Sequence, residues 1–184
     1  MVDRYWCGDC RVDSGLVAGL GMLSQALFSS TKEEWETPPE FFKELDSKFW
    51  FTLDPCATKK NAKCDRFFTK EVDGLRQDWS SERVFMNPPY GRTIGKWMEK
   101  AWESVCAGAT VVCLVPARTS ERWWHAWVEG KATEIRFVKG RLRFVGAKHT
   151  APFPSVVIVY RPGAEPLHFE RKVWVQIGKG HLRA

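Results

Sequence analysis

Residues 83 to 90 read Arg83-Val-Phe-Met-Asn-Pro-Pro-Tyr90, and this stretch decides the fold class. Its first half predicts a short strand, and the two prolines end that strand because they cannot donate to a strand ladder. Residues 93–107 then place Trp97 and Val105 on one helical face, and residues 111–115 form a continuous apolar run. A strand, a helix and a fully apolar strand in this order predict a parallel sheet covered on both faces.

The same alternation continues on either side of this unit. A helix is predicted after Thr37, because Thr37-Pro-Pro-Glu40 matches a capping box with Thr37 as N-cap and Pro38 at the first helical position. Residues 120–129 predict another helix. The remaining predicted strands are residues 49–53, 66–69, 134–144 and 155–160. The fold class is therefore α/β.

Composition places the chain among globular proteins, with 184 residues, 44% hydrophobic and 27% charged. The net charge of +6 is unevenly distributed. Residues 131–184 hold eleven Lys/Arg against three Asp/Glu, a balance of +8, so the first 130 residues are slightly acidic. A positive field confined to one part of a fold favours a polyanion partner, although lysines and arginines retained for solubility give the same count.

Secretion, membrane insertion and metal binding are not expected. The six cysteines form neither a secreted disulfide framework nor a complete metal site. The most apolar early stretch, residues 15–28, is shorter than the ~20 residues that span a bilayer. We therefore expect a cytoplasmic protein without a metal.

Two strand ends carry unusual residues. Ligands of open α/β sheets bind beyond the carboxyl ends of the strands. Asp54-Pro-Cys-Ala57 follows the first predicted strand, and Asn87-Pro-Pro-Tyr90 follows residues 83–86. The plain interpretation of the second motif is a proline-rich turn opened by Asn.

The functional interpretation comes from the needs of an aromatic amino group. Its nitrogen lone pair is delocalised into the ring, so attack on a methyl group requires a more tetrahedral nitrogen. The side-chain oxygen of Asn87 and the carbonyl of Pro88 are two fixed acceptors for the NH2 hydrogens. Pro89 completes the turn, and Tyr90 supplies a face on which a planar base stacks.

Five motifs in order resemble those of the phage-type DNA N6-adenine methyltransferases. They are Trp35-Glu-Thr-Pro38, Thr52-Leu-Asp-Pro-Cys-Ala57, Asp73-Gly-Leu75 followed by Trp79, Asn87-Pro-Pro-Tyr-Gly91 and Val115-Pro-Ala-Arg-Thr119. The resemblance implies a Rossmann-like methyltransferase sheet, mostly parallel with an antiparallel edge and with helices on both faces. It also implies S-adenosylmethionine as methyl donor and an adenine of double-stranded DNA flipped into the pocket. A phage-encoded member would act in the bacterial host cell.

The resemblance further implies a domain organisation and site roles. Residues 1–30 are expected to be an N-terminal extension, residues 31–163 the methyltransferase domain, and residues 164–184 a C-terminal tail with a strand at 172–177. The expected donor-binding residues are Trp35, Thr37, Pro38, Asp54, Cys56, Ala57, Asp73 and Asp78. Asp54 would meet the donor's ammonium group. Asp73 or Glu71 would take the ribose hydroxyls, and a solvated surface charge is the alternative for both.

Phosphate contacts are expected from Arg118 and from the basic stretch in the last third of the chain. The residues of this stretch are Lys139, Arg141, Arg143 and Lys148. The alternative for this stretch is a solvated edge strand protected by charge. Two other functions remain open: a methyltransferase of RNA or of a protein glutamine amide, and a non-catalytic nucleic-acid-binding module.

Overall fold

Six strands form the central sheet of the computed structural model, which describes residues 34–167, 175–177 and 181–183. The strands are β1 (Leu53–Asp54), β2 (Arg66–Phe67), β3 (Arg83–Met86), β4 (Thr110–Pro116), β5 (Glu134–Phe137) and β6 (Ser155–Tyr160). Their order across the sheet is β2-β1-β3-β4-β6-β5. The pairs among the first four are parallel, and β6 runs antiparallel to both β4 and β5. The predicted α/β sheet with an antiparallel edge is confirmed.

Within the described residues, three α-helices accompany the sheet: α1 (Pro39–Phe49), α2 (Ile94–Cys106) and α3 (Arg122–Trp127). They cover both faces of the sheet. Residues that pair directly across neighbouring strands point to the same side, so the contacts of such residues show which face each helix covers. Phe85 contacts Phe42 of α1 and pairs with Val112, which in turn pairs with Val159. The next residue, Tyr160, therefore points to the other face. There its ring contacts Trp102 of α2, and its hydroxyl donates to a carbonyl of α3.

The core centres on β4. Residues Val111, Val112, Cys113, Leu114 and Val115 are completely buried. Burial on both faces explains why this strand is apolar at every position rather than at alternate ones.

The capping-box prediction is wrong. Pro38, with an extended backbone at ψ 137°, precedes the first residue of α1, and no side chain caps the helix. The hydroxyl of Thr37 instead accepts a hydrogen bond from Asn87, fifty residues away. The helix also continues to Phe49, and Trp50 then turns the chain with a left-handed backbone (φ 49°), so the first strand begins only at Leu53.

Three other predicted elements are shorter than expected. The strand predicted at 66–69 pairs only over Arg66–Phe67, and α3 occupies six of the ten predicted residues because Glu121 is extended. The strand predicted at 134–144 ends at Phe137. Gly140 then turns the chain with a φ of +77°, and Phe144 packs on Trp35 and Tyr90 instead of continuing the strand.

The C-terminal part contains a separate antiparallel pair, β7 (Val175–Ile177) and β8 (His181–Arg183). The predicted strand at 172–177 is thus found over its last three residues. The N-terminal extension predicted at 1–30 lies outside the described residues.

Candidate active site

Asn87 follows β3 at the carboxyl edge of the sheet and is tied to the chain before α1. Its side-chain nitrogen donates to the carbonyl oxygen of Trp35 at 2.6 Å and to the hydroxyl oxygen of Thr37 at 2.8 Å. A carbonyl oxygen only accepts hydrogen bonds, so the NH2 of Asn87 must face Trp35. The orientation of the amide is therefore fixed.

The oxygen of the same amide points away from these partners. It is buried, and no group among the described residues donates to it. The neighbouring carbonyl of Pro88 likewise receives no hydrogen bond within the described part of the chain, and Pro88 itself is buried. A buried acceptor without a donor is unfavourable by roughly 1–3 kcal/mol, so the motif holds two adjacent acceptors ready for a ligand NH2.

Tyr90, the last residue of the motif, is held by burial and by a hydrogen bond. The residue is 5% exposed, its hydroxyl donates to the Leu114 carbonyl of β4 at 3.0 Å, and burial raises its pKa well above the usual value. Its ring meets Phe144 and Phe153 edge-on, with centroids 6.2 and 5.5 Å away. In this arrangement aromatic neighbours surround the ring that is predicted to stack on the base.

Trp35 belongs to the same aromatic cluster. Its ring lies 5.2 Å from both Phe144 and Phe153. The backbone between Trp35 and Thr37 is fixed as well, because the carbonyl of Glu36 accepts from the N–H of Val145 at 3.0 Å. Thr37 is buried and Pro38 is half-buried. The structure thus brings Trp35, Thr37, Asn87 and Tyr90 together.

Asp54 is a buried carboxylate at the end of β1, with 5% of the residue exposed. Its two oxygens accept from the backbone N–H groups of Cys56 at 3.3 Å and Lys63 at 3.1 Å. Burial raises the pKa of Asp54 from 3.8 to about 6, because these bonds and the charge of Lys63 offset only part of the lost hydration. A cation that binds here meets a desolvated anion.

Lys63 connects the loop after β1 to residues 35–37, which we name the Trp35 segment. Its ammonium lies 3.4 Å from the carboxylate of Glu36, while its backbone N–H binds Asp54. The carboxylate of Asp54 and the amide of Asn87 are therefore linked to one short stretch, residues 35–37.

The two small residues after Asp54 are enclosed. The N–H of Ala57 donates to Phe68 at 3.1 Å, and Ala57 is 5% exposed. Burial, with the charges of Asp54 and Cys113 nearby, raises the pKa of Cys56 well above the usual range. Cys56 is thus a neutral packing group.

Asp73 shapes a turn rather than standing free as a ligand. Its backbone is left-handed (φ 56°), its carboxylate accepts from the N–H of Leu75 at 3.2 Å, and it pairs with Arg76 at 3.3 Å. The turn brings Gly74 against the loop after β1, where an added Cβ would lie 2.2 Å from the carbonyl oxygen of Pro55. Glu71 is exposed, and its hydrogen bond with Thr69 lowers its pKa.

Asp78 has no described contact with this cluster. It is exposed and accepts hydrogen bonds from the N–H and hydroxyl of Ser80, both at 2.8 Å, and these bonds lower its pKa. The nearby cations are Lys100 and Arg66. The predicted role of Asp78 in donor binding stays a prediction, as does the predicted contact of Asp73 or Glu71 with the ribose.

The basic stretch lies on the connection between β5 and β6, which we name the basic segment (residues 138–154). Its cations are all exposed: Lys139, Arg141, Arg143 and Lys148. Between them Phe144 is buried and Leu142 is half-buried. The segment therefore carries exposed cations beside buried residues that pack on the aromatic cluster, and the alternative of a solvated edge strand is not found there. Arg118 lies beyond the end of β4 and is half-buried.

Several residues of the site were not predicted: Glu36, Lys63, Gly74, Phe144 and Phe153. Glu36 and Gly74 had a signal, since they stand inside the quoted Trp35-Glu-Thr-Pro38 and Asp73-Gly-Leu75 motifs. The others act through contacts between segments distant in sequence, and the local pattern carries no sign of them.

Among residues 34–167, no group of three or more His, Cys, Asp or Glu side chains is placed to hold a metal ion. No helix in the described part of the chain is long and apolar enough to cross a membrane.

Two curated proteins are similar to this chain. A curated "DNA N-6-adenine-methyltransferase" of Escherichia phage T1 is 28% identical over 116 residues, which cover 57% of this chain and 48% of the phage protein, about half its length. "Putative methyltransferase YfdM" of Escherichia coli (strain K12) is 35% identical over 65 residues, or 32% of this chain and 71% of that protein.

The model of one protein family, described as DNA N-6-adenine-methyltransferase (Dam), matches residues 24–171. This span includes the Trp35 segment, Asp54, the Asn87 motif and the basic segment, and it confirms the resemblance noted in the sequence. The chain therefore belongs to the DNA N-6-adenine-methyltransferase (Dam) family.

Proposed function

We propose that this protein transfers a methyl group from S-adenosylmethionine to the N6 amino group of adenine in double-stranded DNA, inside a bacterial cell. Family membership supports the reaction class. The observation that carries the proposal is the Asn87 amide, whose NH2 is occupied by Trp35 and Thr37 while its buried oxygen has no donor among the described residues.

The acceptors explain how an unreactive nitrogen is activated. The oxygen of Asn87 and the carbonyl of Pro88 would accept the two hydrogens of the adenine NH2, which draws the lone pair out of the ring. The nitrogen then forms a bond to the methyl carbon, the sulfur–carbon bond breaks, and one amino proton is released to solvent. Because Asn87 is fixed before substrate arrives, little reorganisation is needed during transfer.

The donor requires a partner for its ammonium group, and Asp54 fits that need. When bound, S-adenosylmethionine supplies an electrophilic methyl group on a positively charged sulfur. The buried carboxylate of Asp54 lacks full compensation from the chain, as its raised pKa indicates. A cationic group at this position would restore the missing charge partner.

The flipped base requires a pocket with flat walls. Tyr90, together with Phe144 and Phe153, supplies aromatic surfaces beside the two acceptors. Since these rings contact one another, we propose that the basic segment shifts when the base enters. Its exposed cations would hold the phosphates of the same DNA.

The test compares wild type with Asn87→Ala in a labelled methyl-transfer assay on duplex DNA, RNA and protein. We expect transfer only to adenine of duplex DNA, loss of transfer in Asn87→Ala, and nearly unchanged donor binding by calorimetry. Ser47→Ala, an exposed change near the end of α1, serves as the control and should keep full activity. Wild-type activity in Asn87→Ala would refute the pocket, transfer only to RNA or protein would refute the substrate, and absent donor binding would refute the enzyme.

A further inference from the structure

The arginines of the described residues divide into two groups. Four pair with a carboxylate: Arg66 with Glu82, Arg76 with Asp73, and both Arg136 and Arg161 with Glu134. Arg83 donates to the carbonyl of Trp50. Among residues 34–167, six arginines have no carboxylate partner within 4.0 Å, namely Arg83, Arg92, Arg118, Arg122, Arg141 and Arg143.

The two groups differ in position along the strands. Arg66 and Arg83 begin β2 and β3, and Arg161 follows the end of the antiparallel β6, so these three lie at the amino edge of the sheet. Of the six arginines without a carboxylate partner, Arg83 lies at the amino edge and the other five lie on segments that leave the carboxyl edge: Arg92 after β3, Arg118 and Arg122 after β4, and Arg141 and Arg143 in the basic segment. Uncompensated positive charge is thus concentrated at the edge that carries Asn87.

At this edge the five arginines flank the Asn87 motif from two sides. The basic segment is bound to the α1 side, because Val145 donates to Glu36 just before that helix. Arg92 and Arg122 belong instead to the side of α2 and α3. These helices meet at Gly95, where an added Cβ would lie 3.4 Å from the Cβ of Trp123.

This contact brings Arg92 and Arg122 into one neighbourhood. Arg122 directly precedes Trp123, and Arg92 lies three residues before Gly95. Successive Cα atoms are only about 3.8 Å apart, so both arginines lie close to this contact. Both side chains are exposed. Arg118, half-buried, stands between Arg122 and the end of β4.

We propose that Arg92 and Arg122, together with Arg118, form a second phosphate-binding surface on the α2 and α3 side of the base pocket. This inference rests on the proposed function, because it assumes a DNA substrate. One guanidinium group binds two phosphate oxygens at once. An arginine without a carboxylate partner breaks no ion pair when it binds phosphate in this way. The basic segment and this second surface then hold the DNA backbone on both sides of the nucleotide that is flipped out.

The test is the salt dependence of DNA binding, measured by fluorescence anisotropy for wild type and for the double variant Arg92→Gln/Arg122→Gln. Each phosphate contact contributes roughly 0.9 to the slope of log K against log salt, so the double variant should lose about 2 from that slope. Arg161→Gln, at the amino edge, is the matched control and should keep the wild-type slope. Donor binding by calorimetry should be the same in all three proteins.

An unchanged slope in the double variant, with wild type binding and methylating DNA, overturns this inference and leaves the proposed function intact. Failure of wild type itself to bind DNA would instead overturn both. Thermal unfolding of each variant shows whether it is folded, so that a smaller salt slope is not mistaken for an effect of unfolding.

Discussion

The side-chain nitrogen of Asn87 lies 2.8 Å from the hydroxyl oxygen of Thr37, although fifty residues separate the two in sequence. The second bond of the same nitrogen ends on the carbonyl of Trp35. Together the two bonds turn the free oxygen of Asn87 toward the edge of the sheet. Thr37 is thus a positioning residue for the Asn87 amide.

Replacement of Thr37 by Val should lower kcat about fivefold, because one neutral hydrogen bond is worth roughly 1 kcal/mol and the amide loses part of its fixation. The KM for DNA should change little. Thr37→Ser keeps the hydroxyl and should restore kcat, which a purely structural role of the methyl group would not do. Steady-state kinetics with wild-type kcat in Thr37→Val would contradict the role.

Gly74→Ala should disrupt the donor loop. An added Cβ would meet the Pro55 carbonyl oxygen at 2.2 Å, and real Cβ contacts do not occur at that distance, so the backbone next to Asp54 must move. We expect loss of donor binding by calorimetry and a lower melting temperature.

Gly95→Ala is the matched control for this substitution. Its Cβ would approach Trp123 at 3.4 Å, an ordinary contact, and it stands in a helix where Ala is favoured over Gly by about 1 kcal/mol. It should bind the donor normally and unfold no earlier than wild type. Equal donor affinity in both variants would argue against the close approach of Gly74.

Donor binding should depend on pH through Asp54. Its pKa is about 6, and only the ionised carboxylate attracts an ammonium group. The affinity for S-adenosylmethionine should therefore be constant above pH 7 and fall toward tenfold per unit as the pH drops below 6. Calorimetry at several pH values measures this. Asp54→Asn should bind weakly at every pH, and a wild-type profile in that variant would contradict the assignment.

The same carboxylate should lower stability at neutral pH. The pKa of Asp54 is higher in the folded state than its ordinary value of 3.8, so its contribution to stability is complete below pH 3.8 and is lost as the pH rises through 6. Two pKa units correspond to about 3 kcal/mol. Denaturant titrations at pH 4 and pH 7 measure the free energy of unfolding of wild type and of Asp54→Asn. From pH 4 to pH 7, the variant should become more stable relative to wild type.

The sequence predicted the alternation of elements and the residues at two strand ends, because both follow from local patterns. It failed where a distant contact overrides a local one. Thr37 matches a helix N-cap, yet Asn87 takes its hydroxyl. Leu142 and Phe144 alternate with arginines as in a strand, yet Phe144 packs on Trp35 beyond the end of the sheet. Neither competing partner is visible in a short window of sequence.

Tyr90 combines a stacking surface with a structural hydrogen bond, and two substitutions separate these roles. Tyr90→Phe removes the bond from the hydroxyl to Leu114 but keeps the ring, so it should lose about 1 kcal/mol of stability and retain methyl transfer. Tyr90→Leu removes the aromatic face while filling much of the same volume, and it should raise the KM for DNA and lower kcat. Parallel kinetics and denaturant titrations decide the matter, because a Leu variant that is folded and fully active would show that the ring serves only to pack against Phe144 and Phe153.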